Sequence, residues 1–116
     1  MDHDPAALIA AEREATTSRI ASLARQVEGL AAEQALTTHD DEHDPEGVTI
    51  GFARAQIQGL LAGARKDLDA LDRAAGRLAA GTYGHCLTCG NPIPDARLEA
   101  LPAAETCLAC ATRRRR

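Results

Sequence analysis

Apolar residues recur along this chain in steps of three and four. In the first third they fall at Ile20, Leu23, Val27 and Leu30, and the same register runs back through Thr16 and Ile9, with Arg13 as a break. A second run is longer: Ile57, Leu61, Ala64, Leu68, Leu71, Ala75 and Leu78 keep the pattern without a miss, and Ile50 extends it N-terminally. This is heptad spacing, the mark of a helix that buries one narrow stripe against another helix. The spacing predicts helices over about 5–36 and 45–80. Asp44 suits the N-cap of the second and Pro45 its first helical position. Gly81 suits the residue that closes it. Gly51, Gly59, Gly63 and Gly76 weaken this helix, each by up to about 1 kcal/mol, and their small size permits close helix approach.

At about 1.5 Å per residue each helix is roughly 50 Å long, and neither is stable alone with a single apolar stripe. The connection from Thr37 to His43 is short, so the helices are expected as antiparallel neighbours. The expected fold class is mainly α: a long antiparallel helical hairpin, a coiled coil, over residues 1–80 with its tip at 37–47. A small four-cysteine finger over 81–112 and a basic tail over 113–116 follow.

Composition agrees with a thin seam. The 116 residues include 25 alanines, one Phe (Phe52), one Tyr (Tyr83) and no Trp, too little side-chain volume for a thick core. The apolar stretches are interrupted too often for a membrane span. The formal charge is −4, and without the four arginines Arg113–Arg116 the rest carries −8 (−4 minus +4), a poor match to nucleic-acid phosphate. The arginine run could touch a phosphate or an acidic protein patch, but it reads more simply as a solvated tail.

Four cysteines form two matched pairs, Cys86-Leu87-Thr88-Cys89 and Cys107-Leu108-Ala109-Cys110, seventeen residues apart. A two-residue gap lets one tight turn present two thiolates to the same ion, and two such turns complete a tetrahedron around zinc. Gly90 follows the first pair where a knuckle turn calls for positive φ. Four thiolates leave no open position, so one structural Zn2+ is expected. Disulfides or a redox dithiol compete with this reading. No signal peptide is read at the N-terminus and no βαβ pattern surrounds the pairs, which argues for zinc in a cytoplasmic protein. His85 adjoins Cys86, but the four cysteines already suffice.

The predicted tip reads Asp40-Asp41-Glu42-His43-Asp44-Pro45-Glu46, five carboxylates in seven residues, with His39 close by. Asp44 and Glu46 favour a helix N-terminus. Asp40, Asp41 and Glu42 have no structural task visible in the sequence. A metal site from His39, His43 and these carboxylates lacks any recognised ligand spacing.

The segment around the cysteines carries more than spacing. It runs Tyr83-Gly84-His85-Cys86-Leu87-Thr88-Cys89-Gly90, then Ile93, then Arg97-Leu98-Glu99-Ala100-Leu101-Pro102, then the second pair. Together these residues resemble the DksA/TraR family of C4-type zinc-finger proteins. Asp41-Glu42-His43-Asp44 is similar to that family's Asp-x-x-Asp tip. The resemblance implies a transcription regulator that binds RNA polymerase, not DNA, and inserts its hairpin into the secondary channel. The zinc finger would sit at the base, and Asp41 and Asp44 would be the tip pair approaching the catalytic centre. Three departures from the family pattern stand out. Glu46, preceded by Pro45, occupies the place of an alanine after the tip motif. Leu101 and Ala111 occupy places that are basic in members responding to ppGpp, so no ppGpp response is expected. The sequence ends six residues past Cys110, so the C-terminal helix of longer members is expected to be missing or very short.

No nucleophile–base pair, phosphate-cradling loop or open metal site suggests an enzyme. The alternative reading is a zinc-containing protein–protein adaptor without polymerase activity. A third, nucleic-acid binding through the finger, is opposed by the scarcity of cations there: Arg97 is the one Arg or Lys between Tyr83 and Cys110.

Overall fold

In the computed structural model, which describes residues 4–37 and 45–114, helix follows wherever the heptad pattern runs. Helix α1 spans Pro5–Thr37 and α2 spans Pro45–Ala80. Two short helices follow, α3 at Asp95–Ala100 and α4 at Leu108–Arg114. Among the described residues there is no β-strand, only an isolated antiparallel bridge between His85 and Pro92. The chain is mainly α, a long antiparallel helix pair followed by a small four-cysteine finger.

The helix ends have identifiable causes. Asp4 caps α1: its carboxylate accepts the Ala6 amide at 3.1 Å and its carbonyl accepts the Leu8 amide at 3.0 Å, with Pro5 at the first helical position. At the far end of α2, Gly81 takes φ 79°. Its amide bonds the Leu78 carbonyl, and the Thr82 amide bonds Arg77, the paired bonds of a Schellman stop. Of the segment expected to form the tip, 37–47, the residues at 38–44, including His39, Asp40, Asp41, Glu42, His43 and Asp44, lie outside the described residues.

The described chain divides into two compact units, Thr16–Lys66 and Met1–Ala15 with Asp67–Arg116, and α1 and α2 contribute to both. In the first, Leu23, Leu61 and Ala64 form a buried cluster, with Ile20, Ala24, Val27 and Ile57 packed against it. Further along α1, Gln34 accepts from Arg54 at 3.3 Å. Rising numbers on α1 thus meet falling numbers on α2, as an antiparallel pair requires. In the second unit Ile9, Leu71 and Ala74 are buried. Arg13, the break in the apolar register, reaches Asp72 at 2.8 Å, so the heptad position is filled by an exposed ion pair.

Two details differ from the periodic reading. Ala74, not Ala75, is the fully buried alanine, because the stripe drifts around a straight helix when a seven-residue repeat meets 3.6 residues per turn. Of Gly29, Gly51, Gly59, Gly63 and Gly76, Gly51 alone lies close to a neighbour, with Gln34 Nε2 3.2 Å from where a Cβ would stand. Gly59, Gly63 and Gly76 face open space and do not serve close helix approach.

Candidate metal centre

The finger is built on two turns that begin at cysteines. In the first, the Gly90 amide bonds the Cys86 carbonyl at 2.8 Å and the Cys86 amide bonds Asn91 at 2.8 Å. Gly90 supplies the φ of 78° that the turn demands. Gly84, at φ 90°, lets the chain cross back so that its carbonyl accepts Ile93 at 2.7 Å. In the second turn the Ala111 amide bonds Cys107 at 2.9 Å and opens α4 into the second pair.

These turns bring the sulfurs of Cys86, Cys89, Cys107 and Cys110 within 4.8 Å of one another. Cys89 Sγ and Cys107 Sγ are 3.9 Å apart. A tetrahedron with Zn–S bonds near 2.3 Å has sulfur–sulfur edges of about 3.8 Å. A disulfide needs about 2.05 Å, and all four thiols are free. Cys86 and Cys110 are buried with Ile93, and Leu98 and Cys107 pack against them. His85 is exposed and contributes nothing to the cluster.

The thiols perturb one another strongly. Amide donation, first from Cys89, pulls Cys86 down to about 6. At Cys110 the Arg113 guanidinium favours the thiolate, but the neighbouring Cys107 sulfur, burial and the other thiols outweigh it and push the group up to about 11. Four sulfurs at this spacing cannot all carry charge by themselves. A dication at their centre removes the conflict, because a coordinating thiol is deprotonated outright. The site binds one structural zinc ion, with all four positions taken by protein thiolates.

The supports of this site come from residues far from the cysteines. Arg97 Nε donates to the Thr106 carbonyl at 2.9 Å, just before Cys107. The Leu87 amide, inside the first pair, donates to the Glu105 carbonyl at 2.8 Å. The Glu105 carboxylate accepts from Arg73 Nε at 3.0 Å and Arg77 Nη1 at 3.1 Å, both on α2. Tyr83 Oη donates to the Pro102 carbonyl at 2.8 Å, and burial raises its phenol above the usual range against the opposing field of Arg77. The Tyr83, Arg97, Leu98 and Pro102 positions of the sequence motif are thus the frame that holds the cysteines. Glu105, Arg73 and Arg77 were not singled out by the sequence. Arg113 and Arg114, expected in a solvated tail, are the last residues of α4, and Arg113 Nη2 lies 3.1 Å from Cys110 Sγ.

The fold and site together define a helical-hairpin protein whose finger is closed around zinc by four cysteines. Residues 81–116 match the family model described as the prokaryotic dksA/traR C4-type zinc finger. The chain is similar to the solved structure of transcription factor DksA2 from Pseudomonas aeruginosa, with a TM-score of 0.56 and 28% identity over 94% of this chain and 84% of that one. It is also 44% identical over 43 residues to the uncharacterized protein YbiI of Escherichia coli (strain K12). That match spans 36% of this chain and 49% of YbiI, about half its length. The finger is thus of the DksA/TraR C4 type, and the fold as a whole is DksA-like. None of its described helices is long and apolar enough to cross a membrane.

Proposed function

We propose that this protein is a DksA-type transcription regulator that binds RNA polymerase in the cytoplasm and acts without chemistry of its own. Its helical hairpin enters the secondary channel, its zinc finger stays at the base, and the acidic segment with Asp41 and Asp44 reaches toward the catalytic centre. The observation that carries this reading is the structural match to a transcription factor over 94% of the chain. The closed zinc site agrees with it, since four thiolates leave the metal no position for substrate or water. Direct, sequence-specific DNA contact by the finger is disfavoured, because Arg97 is already committed to the Thr106 carbonyl.

The regulation we propose does not use ppGpp through a site shared with polymerase. Leu101 is 52% exposed and Ala111 is half-buried. Neither can pair with phosphate as a cation does.

Co-purification with RNA polymerase tests the partner, and open-complex lifetime at promoters tests the effect. Failure to bind polymerase overturns the proposal. Binding with no change at any promoter would favour the protein–protein adaptor. Adding ppGpp should change transcription no more with this protein than without it.

A further inference from the structure

Four thiolates around one dication leave two uncompensated negative charges inside a small finger. Backbone amides answer part of this, as at Cys86, where the Cys89 amide lies 3.5 Å from the sulfur. At Cys110 the nearest donor is a side chain. Cys110 is 2% exposed, and Arg113 stands three residues on along α4, on the same helix face. Its Nη2 reaches Cys110 Sγ at 3.1 Å.

We propose that Arg113 is a positioning residue of the zinc site, holding the Cys110 thiolate by a charge-assisted N–H···S bond and offsetting the charge of the four-thiolate centre so as to slow zinc release. This rests on the zinc reading of the site and is independent of polymerase binding. An arginine is suited to the task because it stays charged at any working pH and presents several donors in one plane. Outer partners of this kind commonly change metal affinity by about 10–100-fold. Arg113 is exposed, so the lower end of that range applies.

The test uses the full, zinc-loaded chain and a chromogenic chelator in excess. Arg113→Ala should release zinc about 10-fold faster than wild type, and Arg113→Lys, which keeps the charge but loses the planar fork, should fall between the two. A second readout separates this role from general destabilisation. With cobalt in place of zinc, losing the N–H···S bond makes the sulfur a better electron donor. The sulfur-to-metal charge-transfer band of Arg113→Ala should therefore move to longer wavelength, while the tetrahedral d–d bands stay in place. Wild-type release kinetics in Arg113→Ala would overturn the proposal. So would faster release with an unmoved charge-transfer band, which would mark Arg113 as merely structural.

Discussion

Leu60 and Leu61 are neighbours on α2, and replacing either with alanine makes the same covalent change with the same small gain in helix propensity. Their surroundings differ sharply. Leu61 is 7% exposed and belongs to the cluster with Leu23 and Ala64, whereas Leu60 is 54% exposed. Truncating a buried leucine costs about 2–5 kcal/mol, the lost transfer energy plus the cavity left behind. The seam here is thin and rich in alanine, and its flanking residues are only half-buried, so the gap can partly collapse. We therefore expect about 2–3 kcal/mol for Leu61→Ala, the low end of that range. Leu60→Ala should stay within about 0.5 kcal/mol of wild type. For a chain of this size 1 kcal/mol moves the melting temperature by about 3–6 °C, so a difference of about 1.5 kcal/mol or more should separate the two melts by at least about 4 °C. Circular dichroism melts of the zinc-loaded proteins, paired with urea titrations, make the comparison. Adjacent helical positions point about 100° apart. Equal destabilisation by the two substitutions would mean that the buried stripe does not run where the heptads place it.

Cys107→Ala should lower bound zinc from one per chain to almost none by metal analysis. It should also strip hydrogen-exchange protection from the finger beyond Tyr83 while Thr16–Lys66 keeps its own. Glu105 gives a pH signature: Arg73, and then Arg77, hold its carboxyl below the usual range. A depressed carboxylate contributes stability that is present above its unfolded value and lost as pH falls through the folded one. Stability conferred by this clasp should thus fade below about pH 4.3. Glu105→Gln should flatten that part of the profile, and superimposable acid melts would refute it. Asp41→Asn should weaken the effect on open-complex lifetime while leaving polymerase affinity largely unchanged, and an undiminished effect would remove Asp41 from the proposed tip pair.

Much of the helical part was legible because burial on a helix repeats, and repetition shows in one dimension. Ile9, Thr16, Leu23, Ile50, Leu61, Ala64 and Leu71 all lie on the register and all are buried. The four cysteines were legible for a related reason: each pair is a single turn, and a turn is local. Capping was read unevenly. The dipeptide Asp44-Pro45 suggested a helix start, yet Asp4-Pro5 is the same signal, and there the carboxylate does cap. The start of α1, expected at about residue 5 and found at Pro5, rests on the capping chemistry that was applied to α2.

What escaped the sequence reading did so for two physical reasons. Glu105 meets Arg73 and Arg77 across 32 and 28 residues of chain, and charge pairing at that range has no periodicity to reveal it. Once the finger is folded, the reason for the pairing is plain. Glu105 accepts the Leu87 amide through its backbone and two α2 arginines through its side chain, so it ties the first cysteine pair to the end of the long helix. Arg113 was obscured differently, by standing first in a run of four arginines that reads as solvated charge. Its offset of three from Cys110 was the available signal, since a helix opening at the second cysteine pair must bring those two side chains to one face. The cysteines specify which ion is bound. Residues that only the fold brings near them decide how rigidly, and how long, it is held.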